Sequence, residues 1–225
     1  MRARVVVLLV LAGLGLGALG CVSLKRTPEA RFFVLRSLAE PPAAPPAGAP
    51  VTLVGVLPVR IPGYIDRPQL VSWTAAGELR IDEFRRWGEP LDVGFTRTLA
   101  ENLSALLPEH RVQRGPWRSS VVPRCRVDVE LRVFGPQASG EVRLDGGWAL
   151  LPAEDERPLA RGRSSLKRGP LVIGTAGDNP GGEVEAMSEL VAELSREIAA
   201  AVRVLPDEAN AAPPAPSPTT LPRPR

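Results

Sequence analysis

The sequence is poor in the residues that many enzymes use for catalysis, with one histidine, one tyrosine and two cysteines among 225 residues. The histidine, His110, has no serine in a G-x-S-x-G motif to activate, so no hydrolase triad is indicated. Neither cysteine belongs to a C-x-x-C pair and there is no second histidine, so no metal site is indicated. We therefore expect a protein that is not an enzyme and needs no cofactor, with His110 at the surface.

An excess of charge of one sign is also missing. The chain has 28 Lys and Arg against 25 Asp and Glu, a net charge of +3, and Arg2 and Arg4 at the start contribute two of the positive charges. The other basic residues form no cluster from which a nucleic-acid surface could be built. No nucleic-acid partner is therefore expected.

No apolar run reaches the roughly 20 residues that a membrane-spanning helix needs. The longest one, from Val5 to Leu19, follows two arginines and ends in small residues, which is the pattern of a signal peptide over residues 1–20. The ending Ala18-Leu19-Gly20-Cys21 resembles the lipobox of bacterial lipoproteins, with Ala18 where leucine is usual. This resemblance implies that Cys21 becomes the lipidated N-terminus. It also favours sorting to the outer membrane, because valine and serine follow Cys21 where an aspartate would retain the protein at the inner membrane.

The alternative is cleavage by ordinary signal peptidase near residues 17–19, which would leave Cys21 as a free thiol. If Cys21 is acylated, residues 21–30 form a lipidated N-terminal tether. Cys125 then has no cysteine left to pair with, so no intramolecular disulfide is expected.

Proline-rich stretches mark the limits of the folded part. Five of the twelve residues in 39–50 are proline, which predicts an extended loop. Residues 206–225 contain seven prolines and no apolar period, which predicts a disordered tail that the fold does not need. Residues 31–205 are enough for a single domain with a substantial core.

Period-two alternation predicts most of the strands. The clearest case is 124–134, where Cys125, Val127, Val129 and other apolar residues alternate with charged ones. Further strands are predicted at 31–36, 51–59, 140–151 and 158–167, and a hairpin joins 69–74 to 78–83 across Ala75-Ala76-Gly77.

Two helices are predicted from apolar residues at three- and four-residue spacing. The first follows Pro90 and stops at Pro108, and the second runs from about Glu183 to Val204. An antiparallel sheet with one apolar face needs a cover. The predicted fold is therefore α+β: a single domain with a mostly antiparallel sheet, covered on one face by the two main helices.

Two further segments are unusual enough to suggest a family. Residues 60–71 read RIPGYIDRPQLV, and residues 84–91 read FRRWGEPL. Together with the predicted strands and the ending LSREIAAAV, they make the chain from Phe32 to Val202 resemble the PqiC family of lipoproteins, also described as ABC-type transport auxiliary components. The proline-rich tail lies outside the resemblance.

The resemblance implies a role in lipid traffic across the periplasm. Members of this family look like outer-membrane-anchored partners of MCE-domain (PqiB-like) proteins, whose tunnels carry phospholipids between the inner and outer membranes. The candidate partner-binding residues are Pro62, Gly63, Tyr64, Asp66, Arg67 and Trp87. Tyr64 is the strongest of them, because an aromatic ring on a rigid turn is a common interface anchor.

Other interpretations remain open at this point. Asp66 could cap a turn, Arg67 could pair with it, and Trp87 could fasten the helix start to the sheet. The protein could instead assist assembly of an outer-membrane complex, as pilotins do for secretins, or bind lipid directly between its helices and its sheet. Self-association into a ring at the tunnel mouth is a further possibility that the family's role suggests.

Overall fold

A computed structural model describes residues 28–38, 52–117, 122–169 and 180–206. The predicted signal peptide, the lipidation site Cys21, the 39–50 loop and the tail beyond Pro206 lie outside these residues. None of the helices in the described ranges is long and apolar enough to cross a membrane. The order of elements is β1 (Arg31–Phe33), β2 (Thr52–Val56), β3 (Gln69–Trp73), β4 (Leu79–Trp87), α1 (Leu91–Leu106), β5 (His110–Arg114), β6 (Cys125–Pro136), β7 (Val142–Leu151), β8 (Ala160–Arg168) and α2 (Pro180–Arg203).

The larger sheet has five strands in the order β5-β2-β6-β7-β8. Strands β6, β7 and β8 form an antiparallel meander, as the alternation predicts, and Cys125, Val127 and Val129 of β6 are buried. Strand β2 runs parallel to both of its neighbours, β5 and β6. Strand β2 is therefore an interior strand, and its last three residues, 54–56, are buried, which is the usual environment of parallel strands.

The smaller sheet has three strands in the order β1-β4-β3. The predicted hairpin of β3 and β4 turns at Gly77, whose φ of 80° favours glycine. The hairpin register shifts between Gln69 and Leu70, so that β4 contains a bulge over residues 83–85. Strand β1 pairs in parallel with the end of β4.

Both helices lie where they are predicted. Helix α1 starts directly after Pro90, while α2 starts at Pro180, three residues before the predicted limit. The helices pack against each other, α1 beside β5 and α2 across β6, β7 and β8. Between the two helices, the buried Asn102 side chain donates to Ser195 Oγ at 3.2 Å and accepts the Leu38 N–H at 2.7 Å.

The core fills the space between helices and sheet. Phe95 of α1 and Phe134 of β6 meet edge to face with ring centroids 5.2 Å apart, and both are fully buried. The prediction of a single α+β domain with two main helices is confirmed. Two features go beyond it: the strands divide between two sheets, and both sheets contain parallel pairs. Alternation reveals which segments are strands and not which strands are neighbours.

Candidate functional site

The turn at residues 62–67 leads from the large sheet into the small one. It closes through the Ile65 N–H to the Pro62 carbonyl at 3.0 Å and the Arg67 N–H to the Ile65 carbonyl at 2.9 Å. Ile65 is buried and anchors the turn in the core, while Gly63 and Asp66 are exposed. The turn is therefore rigid at its base and open to solvent at its tip.

Tyr64 braces this turn against the large sheet. Its hydroxyl donates to the Arg132 carbonyl at 2.6 Å, and its ring meets Trp73 edge to face at 5.2 Å. Burial, with a smaller contribution from the Asp145 charge, raises the pKa of the Tyr64 phenol. The ring is half-buried, so a partner would reach only part of it. Partner binding by Tyr64 stays a prediction, whereas its contacts with Arg132 and Trp73 show that it braces the turn.

Trp87 is the last residue of β4 and is only 8% exposed. Its backbone N–H donates to the Pro68 carbonyl at 2.7 Å. Gly88, Glu89 and Pro90 follow it in the chain and lead into α1. The indole therefore packs in the core beneath the helix start, as the structural alternative expects. Trp87 offers a partner little surface of its own.

The two motifs that the sequence singles out meet in one surface pocket of about 370 Å³. Its lining is Asp66, Arg67, Pro68, Trp87, Gly88, Glu89, Pro90 and Leu91. The pocket thus lies where the turn meets the first residues of α1. It joins three of the predicted residues in one place, whereas Tyr64 lies apart from it and contacts Trp73 and Arg132.

The charged side chains of Glu89 and Arg67, which both line this pocket, differ in how fully they are hydrogen-bonded. Glu89 is held by Arg97, whose Nη2 and Nε donate to it at 2.7 and 3.1 Å. By contrast, Arg67 Nε is buried and has no hydrogen-bond partner among the described residues. No Arg67–Asp66 ion pair is present among these residues either, so the expected alternative of a local pair is not realised. Arg67 therefore lines the pocket with a guanidinium whose buried Nε–H has no acceptor among these residues.

Arg97 is a structural residue that the sequence reasoning missed. The hydrogen bond that it donates to Glu89 is the main reason that its pKa is raised, and the guanidinium also donates to the Leu35 carbonyl at 2.9 Å. It thereby ties the segment after β1 to the start of α1. The i,i+4 spacing of Arg97 and Glu101, which are 2.9 Å apart, is the one signal that could have indicated it.

A second depression, of about 720 Å³, lies on the outer face of the large sheet. Gly147 and Ala149 of β7 line it between the charged side chains of β6 and β8. On the β6 side Arg60 donates to Asp128 at 2.7 Å and to Glu130 at 3.1 Å, and these contacts raise its pKa, the Asp128 hydrogen bond most. This face is a solvated ionic surface, as the alternation of β6 predicts.

The two side chains most suited to catalysis, those of His110 and Cys125, are both largely buried and held within the fold. His110 is the first residue of β5, its side chain is only 9% exposed, and its Nδ1 lies 2.5 Å from Thr52 Oγ1. The prediction of His110 at the surface is therefore wrong, because the histidine belongs to the β2–β5 pair. Cys125 is buried and free, and burial raises the pKa of its thiol to about 11. Within the described ranges no group of three or more His, Cys, Asp or Glu could hold a metal ion.

The fold and its pockets define a small α+β domain that offers binding surfaces. A family model described as the ABC-type transport auxiliary lipoprotein component matches residues 33–199. The chain belongs to this PqiC-like family of lipoproteins, and the resemblance stated from the sequence is confirmed. No curated protein matches the chain.

Two solved structures share the fold. One is the crystal structure of an uncharacterized protein, 21% identical, with a TM-score of 0.61 over 78% of this chain and 99% of the other. The second is protein XCC0632 from Xanthomonas campestris, 14% identical, with a TM-score of 0.55 over 75% of this chain and 92% of that protein. At these identities the similarity establishes the fold alone.

Proposed function

We propose that this protein is the outer-membrane-anchored, periplasmic auxiliary subunit of an MCE-type phospholipid transport system. Its family consists of lipoproteins that are auxiliary components of ABC-type transport, so a transporter partner and a lipid anchor are already implied. The proposal adds Cys21 as the acylated residue, the outer membrane as the anchoring membrane, and an MCE-domain protein as the partner. The lipoprotein docks the far end of the MCE tunnel and performs no chemistry itself.

The observation that supports docking most directly is Arg67, which lines the pocket between the turn and α1 and whose buried Nε has no acceptor among the described residues. A buried donor without an acceptor costs about 1–3 kcal/mol, and a partner oxygen recovers that cost if the Arg67 side chain turns its guanidinium toward the pocket. Carboxylates are the strongest acceptors for a guanidinium. We therefore expect the MCE partner to place an acidic side chain or a backbone carbonyl in this pocket.

The absence of catalysis is part of the same proposal. His110 is held by Thr52 in the sheet, and the Cys125 thiol is buried with a raised pKa. A nucleophile needs an accessible, activated atom, and neither residue supplies one.

The test is affinity purification of the full-length, acylated protein from its own envelope in mild detergent, with mass spectrometry of the intact chain and of the copurifying proteins. We expect acyl chains on Cys21 and recovery of an MCE-domain protein. Recovery of a secretin or another outer-membrane assembly instead would support the pilotin-like alternative and contradict the transport role.

Two variants make the test specific to the pocket. Arg67→Ala should lose the MCE protein, while Arg157→Ala, an exposed arginine on the β7–β8 loop, should retain it. If Arg67→Ala retains the partner, docking occurs elsewhere on the domain and the pocket assignment is wrong. Light scattering of the same purified protein reports whether it self-associates into a ring.

A further inference from the structure

Three of the exposed large apolar side chains of the domain lie on and beside the small sheet. Phe32 of β1 is 66% exposed, Val34 directly after β1 is 49% exposed, and Phe84 of β4 is 38% exposed. We call these three residues the β1–β4 patch. Large apolar side chains that are exposed together mark a surface that contacts something other than water.

The strand register places Phe32 on the outer face of the small sheet. Phe33 pairs with the buried Trp87, and Arg31, though exposed, pairs with Arg85, whose guanidinium contacts Glu183 of α2 at 2.7 Å, so these four residues lie on the side of the sheet that faces α2. Phe32 pairs with Arg86, and both point to the opposite, outer side. Phe84 lies in the bulge of β4, where it has no register partner, and its exposed side chain is two residues from Arg86. Val34 Cγ1 lies 3.1 Å from where a Cβ of Gly88, the residue after the inward-facing Trp87, would stand.

The bulge in β4 holds Phe84 in its exposed position. Asp82 Oδ1 accepts the N–H groups of Phe84 and Arg85, each at 3.0 Å, while its second oxygen accepts Arg85 Nε at 2.8 Å. An aspartate that caps a local turn in this way fixes the backbone around it. The exposure of Phe84 is thus built into the strand.

The patch lies at the end of the domain that is nearest to the lipid anchor along the chain. Nine residues, 22–30, separate Cys21 from β1. Fully extended, a segment of this length spans roughly 30–35 Å, so the tether keeps β1 within that distance of the anchored cysteine. The tether contains Lys25 and Arg26 together with one acidic residue, Glu29. Such basic residues are attracted to anionic headgroups, by about 1 kcal/mol each near the surface.

We propose that the β1–β4 patch is a membrane-contact surface, which lies in the headgroup region of the bilayer that holds the lipid anchor. Phe32, Val34 and Phe84 insert their side chains between the headgroups, and the basic residues of the tether draw this end of the domain toward the anionic surface. This contact fixes the orientation of the domain relative to the membrane, with α2 leading away from it. The inference goes beyond the proposed function and depends only on the acylation of Cys21.

The protein offers an exposure-matched control at its opposite end. Val122 is 65% exposed, and the neighbouring Arg124 donates to the Leu205 carbonyl, just beyond the end of α2. The patch instead lies near the start of α2, where Arg85 meets Glu183 and the Arg36 N–H meets Ser188. Helix α2 has 24 residues and is therefore about 36 Å long, so the two sites are well separated.

The experiment labels a single introduced cysteine with an environment-sensitive fluorophore, in Phe32→Cys and, separately, in Val122→Cys. Cys21 is blocked by acylation and Cys125 is fully buried, so each variant of the full-length acylated protein takes one label under native conditions. The proteins are reconstituted into vesicles of phosphatidylethanolamine and phosphatidylglycerol, with and without doxyl-labelled phospholipid. Unfolding in urea confirms that both variants have the stability of the unsubstituted protein.

We expect the label at residue 32 to show blue-shifted emission on the vesicles and strong quenching by the doxyl lipid, while the label at residue 122 shows neither. Equal quenching at both sites would mean that the domain has no fixed orientation, and quenching at neither would mean that the tether holds it away from the bilayer. A blue shift at residue 32 without quenching by doxyl lipid would mean that a second copy of the chain covers the patch. Each of these three results overturns the proposal, and none bears on the MCE partner, because the vesicles contain no other protein.

Discussion

The Cys125 thiol lies on the buried face of β6, and burial raises its pKa to about 11. In the folded protein the thiol keeps its proton at pH 8, so we expect the acylated protein to resist alkylation by iodoacetamide. In urea the thiol is exposed and reacts once per chain. Mass spectrometry of the intact protein distinguishes the two states, and rapid alkylation of the folded protein would contradict the burial of this residue.

The same raised pKa makes stability depend on pH in a defined direction. Above a pH of about 8.5 the unfolded thiol loses its proton while the folded one retains it. The contribution of Cys125 to the free energy of unfolding therefore falls as the pH rises from about 8.5 to about 11. Cys125→Ala removes this contribution, so its urea midpoint should decline less over this pH range than that of the unsubstituted protein.

Substitutions at Tyr64 measure how much its bracing contacts stabilise the domain, independently of any role in partner binding. Tyr64→Phe removes the hydrogen bond to the Arg132 carbonyl and keeps the ring against Trp73, so we expect a loss of about 0.5–1.5 kcal/mol in the free energy of unfolding. Tyr64→Ala also removes the ring contact and should cost more. Urea titration measures both variants. If Tyr64→Phe is as stable as the unsubstituted protein, the hydroxyl bond contributes nothing.

At the scale of single residues, the sequence predicted which segments form the candidate site but only part of how their side chains interact. Its two unusual motifs pointed to Asp66, Arg67 and Trp87, which do meet in one pocket. It could not predict that Trp87 is buried or that Arg67 Nε lacks an acceptor in the described part of the chain, because both depend on the distance between segments some twenty residues apart. Its error at His110 has the same origin, since Thr52 lies 58 residues away from it.

The elements were largely predictable because their signals are local. Proline at the helix boundaries and the apolar period place α1 at Leu91–Leu106, and alternation places the β6–β7–β8 meander. The pairing of β2 with β5 and β6 was not predictable, because the short strand TLVGV shows no alternation and carries no information about its neighbours. The division into two sheets follows from that pairing.

Within the meander, Gly162 of β8 leaves room for the indole of Trp148 on β7. A Cβ on Gly162 would lie 2.4 Å from the indole ring, so Gly162→Ala forces the ring or the strand to move. We expect a loss of about 1–3 kcal/mol in the free energy of unfolding, as for other overpacked sites. Gly147→Ala on β7 is the matched control, because its nearest neighbour would be a carbonyl at 3.8 Å, which is an ordinary contact.

A double variant tests the cause. Adding Trp148→Ala to Gly162→Ala removes the clash, so the two losses should not be additive. Losses that add would mean that the alanine acts through the strand backbone and not through the indole.

The extent of the domain leads to a prediction for the whole molecule. Arg124 Nη2 donates to the carbonyls of Leu205 and Pro206, and the family match ends at residue 199. A chain that ends at Pro206 should therefore have the same thermal midpoint as the full chain. A chain that ends at Val202 loses the Arg124 contacts and the last residue of α2, and should unfold at a lower temperature. An equal loss in both chains would mean that residues 207–225 stabilise the fold.

The parallel pairing of β2 also has a consequence for how fast the domain folds. Thr52 pairs with His110, 58 residues later, and Val54 pairs with Cys125, later still. The middle of the large sheet therefore cannot close before the hairpin, α1 and the start of β6 have all been synthesised and brought together. Folds dominated by such distant pairings close in milliseconds to seconds, far more slowly than helical bundles. Slow closure suits a chain whose predicted signal peptide sends it across a membrane before it folds.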